Sequence, residues 1–325
     1  MVFSFDNAAV NAKYLAKLNP FWQKMFLTVG ILIAVFGMRL IFPFVIVSVT
    51  GGISPGEALT LALEKGDPTE PGTYGYILNE AHPTIAAFGG IFLLMLFLDF
   101  LFDAERGITW LTWVERPLQK AARLGSLSVL VAGLVLMAAG QVLAEPADRG
   151  RVLFAGLAGL VVYLAVKGLS TVMESKEAER AEVLEREAGE RGSSGPLQLA
   201  GRAAFSMFMF LEVLDATFSF DGVIGAFAIT PDPLIIALGL GVGALFVRSM
   251  TIFLVRRGTL GEYRYLEHGA HWAIGTLAVL LLLTLRFDIP DIVIGLAGLA
   301  FIVTAWVGSA GANRRDAAAS PVSGG

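Results

Sequence analysis

The chain has 325 residues, of which 55% are hydrophobic and 16% charged, with a formal net charge of −4 and no cysteine. A soluble protein carries charge on about a quarter of its residues, so this composition and a mean hydropathy of +0.70 exclude an ordinary soluble domain. The small net charge gives nucleic acid no electrostatic footing, and the lack of cysteine excludes disulfides, thiolate metal sites and cysteine nucleophiles.

Apolar blocks at Ile31–Val49, Ile85–Leu101, Leu127–Leu143 and Val152–Val172 each approach or exceed the roughly 18 residues of a membrane span. The pattern predicts an all-α polytopic membrane protein with about nine transmembrane helices, at 1–18, 26–49, 84–103, 124–144, 151–172, 203–229, 234–255, 270–286 and 289–309. The N-terminus has no basic region and no small-residue cleavage site, so it does not read as a signal peptide. With the first connection placed in the cytoplasm and strict alternation after it, the cytoplasmic side holds 17 Lys and Arg residues. The other side holds four: Lys65, Arg149, Arg151 and Arg286. This bias places the chain in the cytoplasmic membrane, N-terminus outside and C-terminus inside.

Span one carries Phe3-Ser4-Phe5-Asp6-Asn7, and span two carries Arg39. The connection from Gly51 to Ala81 is long, acidic and rich in Gly and Pro, and is expected to be an external loop. Span three follows His82 and contains Asp99 and Asp103, expected on one helical face near the inner end. Lys167 lies within span five. Glu174 to Arg191 reads as a solvated cytoplasmic helix, with a flexible joint at Gly192-Ser193-Ser194-Gly195-Pro196.

Span six reads Glu212-Val213-Leu214-Asp215-Ala216-Thr217-Phe218-Ser219-Phe220-Asp221-Gly222. Each carboxylate at a helix centre costs roughly 2.5–3.5 kcal/mol to insert. Glu212, Asp215 and Ser219 share a face, and Asp221 joins them where the helix unwinds near Gly222 and Gly225, or pairs with Arg39 or Arg248. Carboxylates, hydroxyls and carbonyls are hard donors suited to Ca²⁺, Mg²⁺ or Mn²⁺. The bland alternative is a buried polar network that only joins helices. Met207 and Met209 read as packing, His82 and His271 as interfacial, and His268 as exposed.

Phe3-Ser4-Phe5-Asp6-Asn7 recurs as Phe218-Ser219-Phe220-Asp221-Gly222. A buried Arg then follows (Arg39; Arg248), then Ala-His (His82; His271), and an Asp lies 17 positions after each His (Asp99; Asp288). The offset of five spans makes the two copies inverted, an architecture of secondary transporters with the site near the midplane. The expected organisation is a first repeat at 1–103, a bracing hairpin at 104–172 and a charged linker at 173–202. A second repeat plus final helix follows at 203–309, then a disordered tail at 310–325.

At Ser4-Phe5-Asp6-Asn7-Ala8 and from Glu212 to Gly222 the sequence resembles the TerC family of membrane proteins, named for tellurium resistance. It most resembles the branch catalogued as a conserved membrane protein of unknown function (DUF475). The resemblance implies metal-ion transport, with manganese export, metal supply to exported proteins and tellurite resistance as associated roles. In that family an acidic residue precedes the first motif by a few positions; here that place falls before Met1, so the start is expected to lie inside the first helix.

The resulting expectation is a divalent-cation transporter, plausibly of Mn²⁺, whose metal ligands are Asp6, Asn7, Glu212, Asp215, Ser219 and Asp221. Arg39, Arg248, Asp99 and Asp103 are expected as counter-ions or gates. The alternative is a non-transporting membrane factor for metal loading or stress resistance. No Walker A, Gly-x-Ser-x-Gly or His-Glu-x-x-His pattern occurs, so no enzyme and no permanent cofactor are expected. The expected partners are the bilayer, metal ions and further copies of the chain.

Overall fold

The structure is a computed structural model that describes residues 15, 18–33, 37, 41, 44, 48–49, 51–64, 69–104, 106–121, 127–190, 204–205, 207–209, 211–212, 226, 232–257 and 265–319. Among the described residues the chain is all-helical, without a strand, as expected for a helical membrane protein. The helices are α1 (Pro20–Leu32), α2 (Pro55–Glu64), α3 (Tyr74–Leu101), α4 (Thr112–Ala121) and α5 (Leu127–Ala138). After them come α6 (Arg149–Glu190), α7 (Pro233–Arg257), α8 (Leu266–Leu283) and α9 (Asp291–Ala319). A π-helical turn, Ala139–Leu143, extends α5.

Local sequence sets the helix starts. Asn19 caps α1 by accepting the Trp22 N–H, with Pro20 as the first helical residue, where its missing N–H costs nothing. Thr73 caps α3 by accepting the Tyr76 N–H. The Asp232 carboxylate accepts the N–H groups of Leu234 and Ile235 at 2.8 and 3.3 Å and opens α7.

Side-chain contacts fix the relative directions of five helices. Gly90 of α3 lies against Leu282 of α8, and Phe97 against Gly275. Phe100 stacks on His271 with ring centroids 3.8 Å apart, so α3 and α8 are antiparallel. Trp272 stacks on Phe301, and the Tyr265 N–H donates to Ser309 Oγ at 3.0 Å, so α8 and α9 are antiparallel. Gly140 meets Leu153 and Gly156 meets Leu136, which makes α5 and α6 antiparallel. Gly159 meets Phe88 and Tyr163 meets Phe92, which makes α3 and α6 parallel. Thus α3, α6 and α9 run one way and α5 and α8 the other, the directions that strict alternation assigns to predicted spans three, four, five, eight and nine.

The core sits where α3 is enclosed by α5, α6 and α8: Ile91, Phe92, Met95 and Leu98 pack on Leu136, Leu160, Ile274 and Leu277. Small residues bring these helices close, as is usual where lipid leaves no hydrophobic drive between helices. A Cβ at Gly159 would run into the Phe88 carbonyl. Outward, large apolar side chains stay exposed at helical spacing. They are Val293, Leu296, Leu299, Val303 and Trp306 on α9, Phe154, Leu157, Val161 and Leu164 on α6, and Leu130, Leu134 and Met137 on α5. Two helical segments, Asn79–Leu101 and Arg149–Gly168, are long and apolar enough to cross a membrane. Leu127–Leu143, Leu234–Phe246, Glu267–Leu283 and Leu296–Ala312 are shorter apolar helices.

Several boundaries differ from the sequence reading. The segment expected as an external loop contains α2, and α3 begins at Tyr74, ten positions before 84, because Thr73 supplies a cap ahead of the apolar block. Helix α6 runs unbroken from predicted span five to Glu190, so the helix expected from Glu174 to Arg191 continues that span, since Glu, Lys, Arg, Ala and Leu are all good helix formers. Helix α9 reaches Ala319, so 310–319 is helical rather than a disordered tail; the Ala-rich run explains it. Predicted spans one and six lie mostly outside the described residues.

Candidate functional site

Three polar places can be built from the described residues, and the first is Asp99. Its carboxylate sits two residues before the end of α3. Tyr163 of α6 donates its hydroxyl to Oδ2 at 2.7 Å, and Lys167, one turn on, puts its ammonium on the same oxygen. Ser128 at the start of α5 is a further hydrogen-bond partner. Three helices therefore converge on one carboxylate. The Lys167 side chain is 54% exposed, so the pair lies at the rim of the packed core. Asp99 thus pairs with an internal cation, Lys167. Asp103 does not share its face: α3 stops at Leu101 and Asp103 lies past the turn at Phe102, exposed.

The second place centres on Glu115 of α4, which is fully buried. Its Oε2 accepts from Arg106 Nη2 at 3.0 Å and from the Trp110 N–H at 3.2 Å. Its Oε1 accepts from the Leu111 N–H and from Trp272 Nε1, each at 3.2 Å. His268 stands 3.6 Å from Oε2, with its Nε2 hydrogen-bonded to the Ile108 carbonyl at 2.9 Å. A buried carboxylate is tolerated only when its lone pairs are filled, and here they are. Arg106 also donates Nη1 to the Phe100 carbonyl at 2.9 Å, closing the C-terminal end of α3, and lies 3.7 Å over the Phe100 ring. Burial pulls the Arg106 guanidinium below its ordinary pKa, against the opposing pull of Glu115, Asp103 and Glu267. His268 was expected to be exposed; it is 1% exposed, because α4 and the Phe100 ring cover it. Sequence reasoning missed Glu115 and Arg106 altogether. The signal was an acid closely preceded by Trp110 and Trp113 in a connection where every other charge except Asp103 and Glu105 is basic.

The third place is Glu212, a residue 6% exposed. It adjoins Leu211 in a cluster formed by Ala204, Met207 and Phe208 together with Leu15, Leu18 and Phe26. Trp22 of α1 sits 5.5 Å from the Phe208 ring. Residues 15–27 and 204–211 therefore pack together, and the buried acid is the next residue along the chain. Met207 is 1% exposed within this cluster, in keeping with packing.

Of the other expected site residues, Asp6, Asn7, Arg39, Asp215, Ser219 and Asp221 lie outside the described residues. Arg248 lies on α7, its side chain outside them. No group of three or more His, Asp or Glu able to hold a metal occurs among the described residues. At the far end of α3 from Asp99, a cavity of about 400 Å³ opens between Gly51, Tyr76, Glu80, Thr84 and Arg151. His82 and His271 each lie within a helix, but Asp99 is helical whereas Asp288 follows the end of α8.

A family model described as "Protein of unknown function (DUF475)" matches residues 5–316, and the chain belongs to that family. No curated protein and no solved structure matches it.

Proposed function

We propose that this DUF475 family member is a polytopic membrane protein that moves divalent cations, plausibly Mn²⁺, by alternating access between two inverted repeats. The observation that carries the reading is Glu212. A buried carboxylate that follows directly on an apolar cluster joining residues 15–27 to 204–211, the stretches next in sequence to the repeated Ser-Phe-Asp motifs, suits a cation site between repeats. The metal ligands in this reading are Asp6, Asn7, Glu212, Asp215, Ser219 and Asp221, with Arg39 and Arg248 as counter-ions. The TerC-like motifs at Ser4 to Ala8 and Glu212 to Gly222 support it.

The exposed apolar stripes on α5, α6 and α9 support the membrane setting. Contiguous apolar faces of this kind are rare on soluble monomers and are what lipid covers. The antiparallel packing of α3 on α8 supports the inverted repeat, because equivalent helices of inverted copies must run in opposite directions.

The test is Mn²⁺ flux into proteoliposomes holding the purified chain, under imposed proton and sodium gradients. Flux above that of empty vesicles is the expected result. Mn²⁺ binding without flux under any gradient would favour the alternative, a non-transporting factor for metal loading or tellurite resistance with the charged end of α6 as its docking site.

A further inference from the structure

Helix α4 is the most amphipathic element of the structure, and its two faces have different tasks. The inward face carries Glu115, locked into the cluster above, with Leu118 and Gln119 partly buried. The outward face carries Thr112, Trp113, Arg116, Pro117 and Lys120, all exposed, within an arc that contains no acid. Trp113 is 80% exposed, although it is the largest side chain on the helix. The Glu115 hydrogen bonds to the Leu111 N–H and to Trp272 of α8 fix the rotation of α4 about its axis, so that this face must point away from the bundle.

The place of the helix also matters. Asp99 ties the end of α3 to Ser128 at the start of α5, so both helices finish at one level and α4 lies in the connection between them. A Trp beside two cations, held at the level where apolar helices end, matches the chemistry of a membrane interface. Indole prefers the headgroup layer, and Lys and Arg prefer anionic lipid there.

We infer that the Trp113–Arg116–Lys120 face of α4 binds anionic phospholipid headgroups and seats the inner end of the bundle on the membrane surface. This rests on the membrane reading above but not on any transport activity.

The test uses the full chain labelled with 5-fluorotryptophan in phosphatidylcholine nanodiscs. A trace of headgroup-nitroxide phosphatidylglycerol or phosphatidylcholine is added, and the Trp113 fluorine resonance is assigned with W113F. Broadening of Trp113 by labelled phosphatidylglycerol is expected to exceed that by labelled phosphatidylcholine. The R116Q/K120Q variant is expected to lose roughly a thirtyfold preference. Trp306, exposed on the apolar stripe of α9, serves as the internal reference with acyl-chain nitroxide lipid. Trp306 broadened while Trp113 responds to neither headgroup label, or to both alike, would overturn the inference alone. Both residues untouched by lipid would overturn it together with the membrane reading.

Discussion

Lys167 places its ammonium on the carboxylate of Asp99 across the parallel α3–α6 interface, and Tyr163 donates to the same oxygen. The two groups neutralise each other where neither is fully solvated. Removing one charge leaves the other uncompensated, whereas removing both leaves no unpaired charge. Asp99→Asn and Lys167→Met should each destabilise the protein by about 1–2 kcal/mol, less than a fully buried pair because Lys167 is half exposed. The double variant should recover part of that loss. Thermal unfolding in detergent, read as a double-mutant cycle, checks this; strictly additive effects would show that the pair contributes no coupling.

Glu115 should be more sensitive than Asp99. It accepts four hydrogen bonds and faces Arg106 and His268 with no access to water. Glu115→Ala leaves a guanidinium buried without its carboxylate, so a loss of about 3–5 kcal/mol is expected. Glu115→Gln keeps the shape and part of the hydrogen bonding and should fall between the variant and the wild type. Equal unfolding temperatures for Glu115→Ala and the wild type would show that the cluster contributes nothing to holding α4 on α8.

The difference between these two sites also explains what was legible in the sequence. Apolar blocks gave the positions of α3, α5, α6, α8 and α9 because lipid-scale hydrophobicity is a local property. Asp99 was found because a carboxylate inside such a block is conspicuous. Its partner Lys167 was noted within a span but not paired, since residues 68 positions apart become neighbours only once α3 and α6 are known to be parallel. Glu115, Arg106 and His268 sit among ordinary interfacial charges, where the neighbouring Trp110 and Trp113 are the one local mark of a buried acid and say nothing of its partners. Helix ends were misread where capping and propensity, not hydropathy, decide them, as at Thr73 and along 310–319. The acids from Asp215 to Asp221 remain a proposal from sequence.

Gly159 allows α6 to press on α3 at the Phe88 carbonyl. A backbone oxygen cannot move aside as a side-chain end can, so a larger residue must push the helices apart. Gly159→Leu should cost about 1–3 kcal/mol by overpacking and lower the yield of folded protein from membranes. Gly168, on the same helix with open space around it, is the control: Gly168→Ala should be neutral or slightly stabilising. Comparable losses at both positions would indicate a general intolerance of α6 rather than a close approach at Phe88.

The transport reading is tested most sharply at Glu212, the proposed ligand whose burial the structure describes. Glu212→Gln keeps size and hydrogen-bonding capacity while removing the charge that a divalent cation requires. It also lowers the cost of inserting the helix by up to about 3 kcal/mol, so expression should hold or improve. If Glu212 is a ligand, Mn²⁺ flux should fall at least tenfold, the loss expected when about 1.4 kcal/mol of charge-assisted coordination is removed. Asp215→Asn and Asp221→Asn should behave alike, because each removes one anionic donor from the same set. Proteoliposome flux measured beside Mn²⁺ binding separates the outcomes. Full flux with Glu212→Gln, in protein that inserts normally, would return this carboxylate to a helix-joining role and leave the cation site to the acids that follow it.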